Sequence, residues 1–251
     1  MREAWKRRLA AGIMAATMAA AMFPGGLTVA AEEGTAAGVP YNQEGGYDVT
    51  VPHVLVNQVY GGSDDGYASH SFIELYNPCD AAVDLTGWEL QYRSSADGED
   101  TAWHELSLTG TIPAKGYYLV RCAAVTDPSG DYQVPAGDQE WDVALHNKGV
   151  AVALFSQDVT LEETFSGAIT DENRPQGYVD LLAVQGNDAE EAQIPPAYEG
   201  AFSYIQSKKK AIRRNAFTDT DNNQTDGGEL SYADTVDAEQ GPHNSSGETG
   251  S

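Results

Sequence analysis

Apolar and polar positions alternate with a period of two in short bursts along this chain, and each burst ends at turn-forming residues. Val54 to Tyr60 alternates and stops at Gly61-Gly62. Ser71 to Asn77 reads as a second strand, closed by the turn Asn77-Pro78-Cys79-Asp80. Val83 to Arg93 passes through Gly87 and sets Trp88, Leu90 and Tyr92 two apart. Trp103 to Leu108 follows a polar loop, and Ile112-Pro113-Ala114-Lys115-Gly116 turns the chain into Tyr117 to Cys122. Trp141 to His146 and Val150 to Phe155 flank Asn147-Lys148-Gly149, which predicts a three-residue hairpin with Gly149 at positive φ. Tyr178 to Gln185 and Ala211 to Phe217 complete the set. Strands recurring every ~8–12 residues, with no sustained helical period after the N-terminal segment, predict an all-β antiparallel sandwich.

The two ends read differently. Arg2, Lys6, Arg7 and Arg8 precede an apolar run from Leu9 to Met22, then Pro24-Gly25-Gly26 and the small residues Val29-Ala30-Ala31. That order predicts a cleaved export signal over 1–31, because the run falls short of the ~20 residues that span a bilayer. Residues 32–52 are Glu, Gly, Ala and Asn with little periodicity and read as a flexible leader, 53–244 as the folded domain, and 245–251 (Ser-Ser-Gly-Glu-Thr-Gly-Ser) as a flexible tail. The expected location is therefore extracellular or at the cell surface, with no membrane insertion once the signal is removed.

Charge sharpens after that cleavage. The signal takes four of the fourteen basic residues but one of the thirty-eight acids, leaving ten against thirty-seven, a formal charge of −27. Such a surface repels phosphate backbones and anionic headgroups, which argues against nucleic acid as a partner and favours a soluble monomer. The two cysteines, Cys79 and Cys122, each lie near the end of a predicted strand. In an oxidising exterior they are candidates for one disulfide, worth about 3–4 kcal/mol, with two buried thiols as the alternative.

Three ordered blocks carry a family resemblance. Val54 to Trp88 contains I-E-L-Y-N and then V-D-L-T-G-W; Leu108 to Val120 contains I-P-A-K-G-Y-Y-L-V; Ile212 to Asp226 reads IRRNAFTDTDNNQTD and is followed by Gly241-Pro242-His243-Asn244. The chain resembles bacterial lamin-tail domains over about 190 residues. The resemblance implies an immunoglobulin-like antiparallel β-sandwich, and it makes either Arg213 or Arg214 the structural arginine before the D-T-D run. Gly227 stands where the family usually has an aromatic residue, which predicts a less firmly docked end. A fold of this kind names no reaction, since a site must be argued from its own chemistry.

Candidate chemistry is sparse. Asp219, Asp221, Asn223 and Asp226 offer oxygens at EF-hand-like spacing, but Gln224 replaces the turn glycine and Leu230 stands where a bidentate Glu is needed. They are the candidate Ca²⁺ ligands, with an Asx-rich turn as the rival reading; no other cofactor is expected. Lys208, Lys209, Lys210, Arg213 and Arg214 are a candidate anion contact, against an intramolecular role facing the acids of 219–226. Glu74 and Asp84 invite reading as a carboxylate pair, and Trp88, Trp103 and Trp141 as a sugar-stacking platform, although turn-capping and core roles fit them better. The five histidines show no H-E-x-x-H signature, and no serine sits in G-x-S-x-G. The expected function is a non-enzymatic binding or scaffolding module for a protein or glycan at the cell surface. The rivals are an accessory domain of an extracellular nuclease or phosphoesterase and a calcium-dependent adhesive domain.

Overall fold

Runs of β-branched and aromatic residues bounded by Gly, Pro and Asn become the strands of two packed sheets. The computed structural model describes residues 37–98, 101–162, 165–186 and 193–251, with the side chains of 203–205 excepted; residues 1–31, read above as an export signal, lie outside them. The chain forms β1 (Leu55–Tyr60), β2 (His70–Tyr76), β3 (Val83–Asp84) and β4 (Glu89–Ser94). Next come β5 (His104–Ser107), β6 (Thr111–Ile112), β7 (Tyr117–Ala124), β8 (Gln139–Glu140) and β9 (Val150–Phe155). β10 (Gly167–Ile169), β11 (Tyr178–Gly186), β12 (Ala197–Glu199) and β13 (Ser203–Gln206) follow. β14 (Lys210–Arg214), a single helical turn α1 (Asn223–Asp226) and β15 (Gly227–Ser231) complete the order.

One sheet has the order β15-β14-β1-β2-β7-β8 and faces a second, β13-β11-β9-β4-β5. The pairings are antiparallel except β7–β8, β10–β12 and β11–β13. Val56, Val59, Ile73 and Leu75 from the first sheet meet Leu90, Val152, Leu154 and Leu182 from the second in the central core. Both Val56 and Val59 point inward because a bulge at Asn57 resets the alternation of β1 against β2. β9 reads as an unbroken apolar run because both its faces are covered: Val150, Val152 and Leu154 enter the core, while Ala151, Ala153 and Phe155 pack with Leu161, Phe165 and Ile169. No helix among the described residues is long and apolar enough to cross a membrane.

Several expectations change. Trp141 to His146 is not a strand, and β9 pairs with β4 and β11 rather than forming a hairpin. The 141–146 segment hydrogen-bonds raggedly along β7, through Trp141 N to Arg121 O and Ala123 N to Val143 O, on its way from β8 in one sheet to β9 in the other. Its alternation reported burial of Trp141 and Leu145, not strand pairing. The leader from residue 37 onward is built into the domain: Val39 is in the central core, and Val54 N donates to Gly38 O. The 245–251 stretch is also held, since Ser245 N bonds Asp138 and Gln133 and Ser251 exchange backbone hydrogen bonds. Cys79 and Cys122 are free thiols rather than a disulfide. Tyr76 pairs with Tyr117, so Cys79 lies beyond one end of β7 while Cys122 is five residues further along it. That separation is ~16 Å, far beyond the reach of a disulfide.

Gly61 shows why the first strand ends where it does. A Cβ there would lie 1.8 Å from the His146 carbonyl oxygen. Gly61→Ala is expected to cost about 2–3 kcal/mol in a denaturant titration, through overpacking against immovable backbone. Gly46→Ala, whose nearest neighbour would be a side chain at 3.4 Å, should stay within about 0.5 kcal/mol of wild type.

Candidate functional site

The closing stretch folds on its own short side chains. Asn222 caps α1 by accepting from Gln224 N and Thr225 N. Asp226 accepts from Thr220 N and Thr220 Oγ1, both at 2.8 Å, and Asp219 accepts from Asp221 N at 3.1 Å. Asn223 is fully buried, donating to Leu181 O at 2.7 Å and accepting from Glu199 N at 2.8 Å. Asn223 thus spends its oxygen on a distant amide, whereas Asp219 and Asp226 bond local amides and hydroxyls, as Asx-rich turns do.

Their remaining valence goes to a buried guanidinium. Arg214 is 1% exposed and donates through Nη2 to Asp180 and through Nη1 to Asp219 at 3.4 Å and Asp226 at 3.3 Å. Nε donates to Val56 O, and Nη1 also reaches Thr218 O. Glu199 Oε2 stands 3.8 Å away. The carboxylate oxygens that come together among the described residues are thus those of Asp180, Glu199 and Asp219, a set sharing only Asp219 with the expected one. The alternation of β14 settles which arginine is structural: Arg214 points in, whereas Arg213 lies over the Phe217 ring.

Charges in this cluster are unequal, and burial decides who holds a proton. Burial pushes the Asp180 carboxyl up to about 6 against the pull of Arg214. Glu199 is driven well above the usual carboxylate range by burial, with Asp219 and Asp180 adding repulsion. Burial opposes ionisation of Asp219 too, but the His53 hydrogen bond and Arg214 outweigh it and hold its pKa down. Burial likewise works against a charge on His53, yet the bond to Asp219 and the nearby carboxylates raise its pKa. The geometry agrees: Nδ1 lies 2.7 Å from Val51 O and Nε2 lies 2.9 Å from Asp219, two acceptors that suit an imidazolium.

The other candidates disperse. Lys208 pairs with Asp65 and Lys210 with Glu229, while Lys209 sits 5.2 Å from the Tyr67 ring, so the five cations do not converge. Glu74 is buried and accepts from Asn57 Nδ2 and His243 N, whereas Asp84 is exposed and caps Thr86 N. Trp88, Trp103 and Trp141 are all buried. Gly227 does not loosen the end: a Cβ there would meet Ile212 Cδ1 at 2.7 Å, and β15 pairs with β14 from Lys210–Ser231 to Arg214–Gly227.

The missed members had faint signals. Asp180 is a lone acid inside the apolar run Tyr178 to Val184, and a buried charge needs a partner. Glu199 and Arg174 had none. Arg174 stacks 3.6 Å above the Tyr47 ring centroid and stands 3.7 Å from Asp221, whose carboxylate accepts from Tyr47 Oη at 2.6 Å. Beside them opens a cleft of about 670 Å³ between the 41–47 turn and the 156–157 and 171–177 segments.

Since backbone amides, hydroxyls and the guanidinium groups of Arg214 and Arg174 already engage these oxygens, millimolar CaCl₂ is expected to leave the melting temperature within error of its EDTA value. A saturable rise would mean that calcium displaces the guanidinium.

A crystal structure of a DUF4876 family protein from Bacteroides thetaiotaomicron VPI-5482 is similar at 13% identity, covering 70% of each chain with a TM-score of 0.45. The curated proteins gave no match. Residues 49–167, from the segment before β1 through the start of β10, match the family model described as Lamin Tail Domain. With its paired sheets, the chain is an immunoglobulin-like antiparallel β-sandwich whose residues 49–167 are similar to a lamin tail domain.

Proposed function

We propose that this chain is a secreted or cell-surface, non-catalytic module that binds or scaffolds a protein or glycan, acting as a monomer. The observation that carries the reading is the fate of its chemistry-bearing groups. Asp180, Asp219, Asp226, Arg214 and His53 satisfy one another under burial, at 0–3% side-chain exposure, instead of facing a substrate. A cluster that closed serves the fold, and a lamin-tail sandwich leaves function to its loops and clefts. The basic start, apolar run and small residues of 1–31 support export, and the strongly acidic surface suits a soluble extracellular protein.

Two measurements test this. N-terminal sequencing of the protein recovered from culture medium or the cell surface is expected to begin at or near Glu32. Purified chain incubated with single-stranded and duplex nucleic acid and with phosphomonoesters and diesters should show no saturable turnover. Hydrolysis at enzyme-like rates that co-purifies with the chain would overturn the non-catalytic reading, and retention in the cytoplasm would overturn the extracellular one.

A further inference from the structure

We propose that the cleft walled by Tyr41, Tyr47, Arg174, Gln157 and Gln176 is a binding site for a short neutral oligosaccharide. This inference rests on the binding-module reading and names the site and ligand class that would serve it. Its volume of about 670 Å³ falls in the ~300–1,000 Å³ range of ligand clefts.

The walls divide into stacking surface and free polar groups. Tyr41 Oη donates to Tyr178 O at 3.0 Å and Tyr47 Oη donates to Asp221, so both hydroxyls are already tied to the protein. Arg174 covers one face of the Tyr47 ring, so what the two tyrosines offer the cleft is the Tyr41 ring and the rest of Tyr47, set edge-to-face with centroids 6.1 Å apart. Gln157 and Gln176 are exposed at the rim. An amide both donates and accepts, matching a sugar hydroxyl, which does the same. Asp171 adds an acceptor, its side chain 93% exposed, and the buried Arg174 Nε–H lacks a partner among the described residues. A pyranose, with an apolar C–H face and a rim of hydroxyls, meets both kinds of wall.

Charge selects against acidic sugars. Arg174 is already matched by Asp171 at 2.5 Å and by Asp221 at 3.7 Å, so the cleft has no cation to spare for a carboxylate ligand. The chain as a whole carries −24, which repels polyanions at long range. The wall is also stiff. Arg174 is clamped on the Tyr47 ring, Tyr47 is bonded to Asp221, and Asp221 N is bonded to Asp219 of the Arg214 cluster. The buried network thus braces a site it does not enter, which lowers the entropy lost on binding.

The test is isothermal titration of the full chain with xylo-, manno-, chito- and malto-oligosaccharides, with oligogalacturonate as the charged comparison. Saturable binding of at least one neutral oligosaccharide is expected, with oligogalacturonate bound more weakly. Gln157→Ala/Gln176→Ala should weaken that binding roughly tenfold, the loss of two hydrogen bonds, while leaving the melting temperature unchanged. Absence of binding across the neutral panel, preference for oligogalacturonate, or indifference to the double substitution would overturn the proposal. Co-sedimentation with cell-envelope fragments separates the two readings. Equal retention of wild type and double variant overturns the glycan cleft and leaves the surface module standing; failure of either to sediment counts against the surface reading itself.

Discussion

Arg214→Met is expected to destabilise the domain by about 3–5 kcal/mol, the cost of stranding buried charges whose partner has gone. The guanidinium is the shared counter-charge of Asp180, Asp219 and Asp226, all at 3% side-chain exposure or less, and it also holds the carbonyls of Val56 and Thr218. Those groups come from β1, β11 and the closing stretch, so one side chain ties together both sheets and the end of the chain. Against a typical total stability of ~5–15 kcal/mol, this loss alone can remove most of the folded population. Arg214→Lys keeps the charge but offers one compact ammonium in place of a planar fork, and is expected to fall between wild type and Arg214→Met. Adding Asp180→Asn and Glu199→Gln to Arg214→Met should recover part of the loss, because the penalty lies in the uncompensated carboxylates. Guanidinium chloride midpoints at constant slope check the series. An Arg214→Met midpoint no lower than that of Lys208→Ala, a surface ion pair worth ~0–1 kcal/mol, would mean the cluster holds nothing together.

How much of this was legible follows from what each signal encodes. β1, β2, β7, β9 and β11 fall within about a residue or two of their sequence reading, because each is long, β-branched and bounded by Gly, Asn or Pro. The short pairings β3–β6, β7–β8 and β10–β12 were not legible, since two or three residues carry no period of their own and pair only because tertiary contacts bring them together. Burial was easier to read than partnership: the alternation of Trp141, Val143 and Leu145 correctly marks a packed segment and wrongly suggests a hairpin. The D-T-D-N-N-Q-T-D run announced a concentration of oxygens, yet local spacing cannot say whether they meet a cation from solvent or a guanidinium five to twelve residues upstream. Asp180 and Glu199, which complete the cluster, come from strands far away in sequence. The cleft was illegible for the same reason, as the 41–47 turn and the 171–177 segment share no local pattern.

Stability is expected to fall as pH rises from about 5 to 8, opposite to a domain held by ordinary surface carboxylate pairs. Three buried groups have folded pKa values above their unfolded ones: Asp180, pushed up to about 6 from 3.8, Glu199, and His53. For each, the folded state binds more protons than the unfolded state between the two values, so the stability each contributes is present below its unfolded pKa and is lost as pH climbs through its folded pKa. Asp219 has the opposite sign, its lowered pKa giving a contribution that disappears only as pH falls through and below the carboxylate range. The net window of decline therefore opens above pH ~4, where Asp180 and Glu199 begin to lose protons in the unfolded chain, and extends past pH ~6.5 through His53. Its depth is on the order of 2 kcal/mol, the scale of one strongly shifted group. Repulsion among the thirty-seven acids of residues 32–251 has the same sign, but it acts across solvent and is screened at 1 M salt, where the Debye length is ~3 Å. The buried share is not. Urea titrations at pH 5 and pH 8 in 1 M NaCl should keep most of the difference in wild type and lose much of it in Asp180→Asn/Glu199→Gln, whose amides do not titrate. A difference abolished by salt in both proteins would assign the pH dependence to the surface and remove the proton-holding role from the Arg214 cluster.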